Sequence, residues 1–368
     1  MTKIITEFNP THSPLFMVMN NPVLHQLISY LAEKKRQQEE NPNSQIAIEL
    51  SQSFIEQVRN SFKQHILNGE LNLHIITHIV SSRLLGKNFE LHSNVIGILP
   101  GGESRPFLIR EKINQQILFS QTDLDLGNHM LGNFRYNVNQ KWVPLDLSAN
   151  FVEYIPDQIT QTKVNRITSR VKAEEELWNK VTDEIFNFDQ LVLRDKQLQQ
   201  YSKYIKDVFG IKIICENEAA CHEAQKTLEK LTTAECDWHL LDSLIGQHIP
   251  ENAFTIGTNL LEFIETKNYL DCEPELLKKT GWRAVKSVVK WKNQLFEIQF
   301  QPLSNYFMEL DHMAGPSHTS FKKNRDYLRN EVAQRVPLYG FYRDLLRMVF
   351  LKSDVSFEYE NAKVVITE

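Results

Sequence analysis

The segment Phe296-Glu297-Ile298-Gln299-Phe300 leaves its stretch of chain little choice of fold, because large apolar side chains alternate with polar ones at the two-residue period of a β-strand. Just upstream lie Val285, Val288 and Val289 and a Lys292-Asn293 pair suited to a turn, so the stretch from Arg283 to Gln301 is predicted to form a hairpin. With Phe296, Ile298 and Phe300 in a core, Glu297 and Gln299 project together from the opposite face. Taken alone, such a pair is also what the solvated face of an edge strand carries.

A second β-rich run, Ile211 to Cys215, follows Asp207 and Gly210 closely. If the two runs neighbour each other in one sheet, Asp207 and Glu297 can share a Mg²⁺, a hard cation that prefers carboxylate oxygen and phosphate. Asp207 by itself reads equally as a turn or cap residue.

Cations gather at three places. Arg170, Lys172 and Lys180 are expected at the start of a helix, where residues 172 and 180 fall about two turns apart and so face one way. An arginine fork and a lysine point charge on one face can clamp a triphosphate, although Glu174, Glu175 and Glu176 partly neutralise this one. From Lys278 to Lys292 there are six cations, no acidic residue, and Trp282 and Trp291 interleaved, a positive patch with stacking surfaces. The same lysines would also guard an exposed hairpin edge against aggregation. His318 and Lys322, one helical turn apart, form a third candidate phosphate contact.

The rest of the chain reads more coarsely. Val23, Leu24, Leu27, Ile28 and Leu31 predict a helix from Pro22 to about Glu40, ended by Asn41-Pro42-Asn43, and two more amphipathic stretches run from about Ser44 to Leu67 and from Leu71 to Leu85. Residues 86–150 change to short β-like runs, so 1–150 is expected to be a mainly helical module with strand-containing additions. Leu177, Val181 and Ile185 space as one helix face, Ala220, Ala224, Leu228 and Leu231 as another, and residues 326–351 as helix interrupted by Pro337 and Gly340. His74 and His78 have the spacing of a zinc pair, but Ile75 stands where a metalloprotease needs its glutamate, and the apolar surroundings favour a buried helix face.

Composition narrows the function class. A net charge of −5 and 42% hydrophobic residues fit a chain with a real core and argue against a surface that binds nucleic acid throughout, so any anion site is local. Cys215, Cys221, Cys236 and Cys272 show neither zinc-site spacing nor disulfide density, which suits a reducing cytoplasm. No apolar run approaches the ~20 residues of a membrane span, and the N-terminus has no secretory pattern. Phosphate-loop and dinucleotide-turn motifs are absent.

The order Arg170-Val171-Lys172 with Lys180, then Asp207-Val208-Phe209-Gly210-Ile211-Lys212, then Gly281-Trp282-Arg283, then Glu297-Ile298-Gln299, then His318 to Lys322 resembles the synthetase domain of the RelA/SpoT-like nucleotide pyrophosphokinases. The resemblance covers about half the chain. It implies an α+β fold, a mixed β-sheet flanked by helices of nucleotidyltransferase-like type, over residues 151–368, with 1–150 as a preceding helical module. It implies transfer of the β,γ-pyrophosphate of ATP to the 3′-hydroxyl of GDP or GTP, yielding guanosine tetra- or pentaphosphate, with Mg²⁺ as cofactor. Arg170, Lys172 and Lys180 would hold ATP phosphates, Asp207 and Glu297 the Mg²⁺, and Glu297 alternatively the hydroxyl proton. Trp282 would stack on the acceptor base, with Lys212, Arg283, Gln299, His318 and Lys322 completing the nucleotide site.

Departures from the pattern are Lys212 for Arg, Glu176 for Ser, Lys286 for His, and Gln301-Pro302 for Arg-Thr. They open two further readings: a toxin-like relative that pyrophosphorylates tRNA or another nucleotide, and an inactive nucleotide-binding or interaction module. The hydrolase that accompanies long members of that family needs a His-Asp dipeptide, and this chain has none.

Overall fold

A computed structural model describes residues 21–41, 44–98, 106–138, 140–143, 145–158, 160–171, 182, 209–246, 257–271, 282–292, 294–314, 329–334, 336–351, 359 and 361–368. In chain order these form helix α1 (Pro22–Glu40), strand β1 (Ile46–Ser51), helix α2 (Gln52–Leu84), strands β2 (Phe89–Ile98) and β3 (Pro106–Ile113), and helices α3 (Gln115–Ser120) and α4 (Asp123–Gly132). Strands β4 (Tyr136–Val138), β5 (Lys141–Val143), β6 (Asp146–Pro156), β7 (Val164–Val171) and β8 (Phe209–Cys215) follow, then helices α5 (Glu218–Glu229) and α6 (Trp238–Ile245). The last elements are strands β9 (Glu262–Asn268), β10 (Val285–Trp291) and β11 (Gln294–Pro302), helices α7 (Leu303–Ala314) and α8 (Pro337–Leu351), and strand β12 (Ala362–Thr367). No described helix is long and apolar enough to cross a membrane.

The chain divides into two units. The described residues of one fall within Met1–Leu67, Ala173–Lys206 and Phe321–Glu368, those of the other within Asn68–Lys172 and Asp207–Ser320. In the first, β1 and β12 pair in parallel from opposite ends of the sequence, Ile46 facing Ala362. Around that pair, Leu24, Leu27, Ile28 and Leu31 of α1 are buried, the Tyr342 hydroxyl donates to the Leu31 carbonyl at 2.9 Å, and Phe62 packs on Phe350 at 4.7 Å. Arg59 donates to the carbonyls of Met348 and Val349, both at 2.8 Å, which satisfies acceptors that the end of α8 leaves open.

The second unit is built on an eight-stranded sheet of order β3-β2-β6-β7-β8-β11-β10-β9. Every neighbouring pair is antiparallel except β8 and β11, so the sheet is mixed. One face carries Tyr154, Ile167, Ile211, Ile213, Phe296, Ile298 and Phe300, all buried. Helix α5 covers part of it with Ala220, Cys221, Ala224 and Leu228, as their spacing predicted. The described part of the fold is therefore the α+β class expected, a mixed sheet flanked by helices.

Several expectations need correction. The boundary at residue 150 falls inside β6, and β2, β3 and β6 are hydrogen-bonded into the same sheet as β7 and β8, so 86–150 is not an appendage of a helical module. The stretch from Ser44 begins as strand, because Ile46, Ile48 and Leu50 alternate with half-buried or exposed residues and find a partner in β12. Beyond it α2 is one continuous helix through Asn68 and Gly69. Arg170 lies on β7, where β-branched Val164, Ile167, Thr168 and Val171 favour extended backbone over the helix expected there. Gly340 lies within α8, with Pro337 as its first residue. The helix face of Leu177, Val181 and Ile185 lies outside the described residues.

His74 and His78 occupy a buried helix face, as expected. His78 sits edge-on to Phe89 at 5.5 Å, and burial pushes its imidazole down to about 4. Gly69, also on α2, lies against the Phe209 ring and the Gln294 amide, where a Cβ would collide with both. On an open helix Gly→Ala gains about 1 kcal/mol, whereas overpacking a closed contact costs about 1–3 kcal/mol. Gly69→Ala is therefore expected to lower the urea-unfolding free energy, and a net stabilisation would refute this packing.

Candidate active site

Pairing between strands brings the separate motifs together. Glu297 on β11 lies opposite Gly210 on β8, and Gln299 lies opposite Lys212. On the far side of β8, Arg170 is opposite Gly210 and Thr168 opposite Lys212; on the far side of β11, Lys286 is opposite Gln299. Directly paired residues share a face, so one row runs Glu153, Thr168, Lys212, Gln299, Lys286 and the next runs Arg170, Gly210, Glu297, Val288. This is the face opposite Phe296, Ile298 and Phe300, as the alternation required. The edge-strand alternative fails, since β11 is central, β9 is the edge, and Glu297 is only 4% exposed.

Each acidic group on this face is held by a cation. Glu297 forms an ion pair with Lys286 through one oxygen, and its other oxygen accepts from the Gln299 amide at 2.5 Å. Glu309, reaching in from α7, accepts from Lys212 at 2.6 Å, from Gln301 at 3.2 Å and from the Trp282 indole N–H at 2.8 Å. Burial alone would raise the Glu309 carboxyl, but the Lys212 charge together with these hydrogen bonds outweighs it and holds the group below the usual carboxylate range. Glu153 is buried and accepts from Tyr306 at 2.7 Å and Arg166 at 2.9 Å, which likewise lower it against the opposing effect of burial.

Trp282 is half-buried, its ring 5.7 Å from that of Tyr269 and its N–H fixed by Glu309. Arg283 pairs with Glu218 in the first turn of α5 at 3.2 Å, and its carbonyl accepts from Asn305. The structure thus gathers Arg170, Lys212, Glu297 and Gln299 on one face, with Trp282 joined to Lys212 through Glu309. Lys172, Lys180, Asp207, His318 and Lys322 lie outside the described residues.

Sequence reasoning missed Glu309 and Glu153. Glu309 sits in Asn305-Tyr306-Phe307-Met308-Glu309, which reads as ordinary amphipathic helix. The available signal was the cluster of unmatched polar groups, Lys212, Trp282 and Gln301, each lacking an evident partner in sequence.

Asp207, the expected partner of Glu297 in a Mg²⁺ site, lies outside the described residues. Glu297 is occupied by Lys286 and Gln299, Glu309 by Lys212, and a divalent cation at Glu297 would have to displace the lysine.

No family model matches the chain, and no curated protein matches it. Among solved structures it is similar to the small alarmone synthetase 1 from Bacillus subtilis, at 14% identity over 52% of this chain and 77% of that one, TM-score 0.24. The same enzyme bound to its product pppGpp is 17% identical over 47% of this chain and 74% of that one, TM-score 0.25. A GTP pyrophosphokinase family protein from Streptococcus pneumoniae is 14% identical over 52% and 73%, TM-score 0.24. Values this low leave function to the residues themselves.

Glu309→Gln keeps the side-chain shape but leaves Lys212 without its counter-charge. It is expected to destabilise the fold by about 1–2 kcal/mol at neutral pH, the partial exposure of both side chains keeping the loss below that of a fully buried pair. Because the folded carboxyl is lowered from its ordinary 4.5, the difference from wild type should be complete above that pH and shrink as pH falls below it. Denaturant titrations at a series of pH values measure it; a pH-independent difference would contradict the ion pair.

Proposed function

We propose that this chain is an ATP-dependent pyrophosphokinase that transfers the β,γ-pyrophosphate of ATP to the 3′-hydroxyl of GDP or GTP. The observation that supports it most is the convergence of Arg170, Lys212 and Lys286 around Glu297 on one face of three adjoining strands and their neighbour, from motifs far apart in the sequence. Such a transfer asks for in-line positioning and neutralisation of phosphate charge more than for covalent help. The 3′-oxygen attacks the β-phosphorus, the bond from that phosphorus to the bridging oxygen of AMP breaks, and Glu297 takes the hydroxyl proton.

In this reading Lys286 holds Glu297 until nucleotide binds, then turns to the incoming phosphates and frees the carboxylate. Lys212 and Arg170 contribute fixed positive charge beside it. Trp282 stacks on the acceptor base, its ring plane set by the hydrogen bond to Glu309. Mg²⁺ is proposed to enter with ATP.

A second reading, a nucleotide-binding module without catalysis, is favoured by the same ion pair, since a carboxylate locked to Lys286 and a Gln301 tied to Glu309 describe a quiet site equally well. The tRNA reading draws less support. Arg283, Lys286 and Lys290, from the basic stretch behind it, face Glu218, Glu297 and Glu262.

Purified protein with γ-labelled ATP, Mg²⁺ and either GDP or GTP is expected to release AMP and label the acceptor at its 3′ position. Glu297→Gln should reduce the rate at least ~100-fold, in the range typical of lost acid–base catalysis, without abolishing ATP binding. Absence of AMP from wild type with ATP still bound would select the inactive module, and label appearing in bulk tRNA but in neither nucleotide would select the toxin-like reading.

A further inference from the structure

Glu70 and His74 stand one turn apart on α2, and Asp123 is the first residue of α4. The Asp123 backbone N–H donates to Glu70, and the His74 Nε2 lies 3.3 Å from Asp123 Oδ1 and 3.8 Å from Glu70 Oε1. All three side chains are buried, at 6%, 2% and 4% exposure for Glu70, His74 and Asp123. One donor atom from each lies within 4.8 Å of the others, and this is the one such grouping among the described residues.

Both nitrogens of His74 and both carboxylate oxygens of Asp123 are buried without a hydrogen bond. Unpaired buried charge is strongly disfavoured, and although His74 Nε2 and Asp123 Oδ1 can pair with each other, His74 Nδ1 and Asp123 Oδ2 have no partner in the protein. A protonated imidazole answers only in part, since the second oxygen of Asp123 still has no donor. A cation between the three residues satisfies the carboxylates and one imidazole nitrogen together. Tetrahedral Zn²⁺, with bonds of about 2.0–2.1 Å, sets its donors about 3.3 Å apart; His74 Nε2 stands 3.3 and 3.8 Å from the two carboxylates, and all three donors lie within 4.8 Å, so small side-chain adjustments would close the site on the ion.

We propose that Glu70, His74 and Asp123 bind a divalent transition-metal ion, with Zn²⁺ the best match, joining α2 to the start of α4. One imidazole with two carboxylates suits Zn²⁺ or Mn²⁺, whereas Mg²⁺ and Ca²⁺ favour oxygen alone. The site lies on the Tyr154 and Phe209 side of the sheet, away from Glu297: Asn150, on the same face of β6 as Tyr154, donates to the Asp123 carbonyl at 2.5 Å. It is independent of the proposed transferase reaction and acts on stability. The i,i+4 partner of His74 is Glu70, not His78, whose ring packs on Phe89.

The test uses the full chain, stripped with chelator and titrated with Co²⁺ followed by visible absorption, with Zn²⁺ as competitor and metal content measured after gel filtration. A saturable band at a single Co²⁺ per chain, displaced by Zn²⁺, and a rise in thermal midpoint on adding Zn²⁺ are expected. His74→Gln and Asp123→Asn should weaken binding about 100-fold or more, while exposed His239→Gln should leave it unchanged. No band and no retained metal in wild type would overturn the proposal, as would unchanged Co²⁺ affinity in folded His74→Gln. If either variant fails to fold, Glu70→Gln supplies the same comparison, and unaltered binding there counts equally against the site.

Discussion

The parallel ladder between Phe209–Cys215 and Gln294–Pro302 is the constraint on which the rest of this site depends. It is the one parallel pairing in a sheet otherwise antiparallel, and its register sets Gly210 beside Glu297 and Lys212 beside Gln299. Because the side-chain period is two, a slip of one residue would send Glu297 into the Phe209 and Phe296 core and bring Ile298 to the polar face. The apolar partners therefore hold the polar ones in place: burial of Ile211, Ile213, Phe296, Ile298 and Phe300 on one side fixes what faces the other.

On that other face, charge is organised by desolvation. Glu153, Glu297 and Glu309 are each drawn out of water and each meets a cation, Arg166, Lys286 and Lys212 respectively. A buried carboxylate without such a partner is costly, and one with a partner gains mainly in position. In the proposed reaction Lys286 would exchange its protein carboxylate for a phosphate, which would link nucleotide binding to the release of Glu297. Three of the departures from the pattern the sequence resembles, Lys212, Lys286 and Gln301, belong to the Glu309 and Glu297 networks.

Legibility followed the strength of the local signal. The hairpin of β10 and β11, the Ile211 to Cys215 strand, α1 and α5 all carried clean periodicity, and each formed where expected. The strand at Ile46–Ser51 and the helical expectation for Arg170 went the other way, because short apolar runs satisfy either period until a partner strand is present. Glu309 had no local signature, since its role comes from α7 folding back over β8 and β11. Of Glu70, His74 and Asp123 only His74 drew notice, and with the wrong partner, His78; Asp123 is far from the other two in sequence and only the fold brings it to them.

What the sequence by itself determined is which residues can share a face: alternation alone placed Glu297 with Gln299 and opposed them to Phe296, Ile298 and Phe300. It also supplied the order of motifs on which the pyrophosphokinase reading rests. Tertiary structure decided which faces meet, that β11 is central rather than an edge, that residues 86–150 enter the main sheet, and that every described carboxylate of the candidate site is already paired. Periodicity is a local property written into successive residues, whereas strand order and ion pairing depend on contacts between distant segments that compete for the same burial.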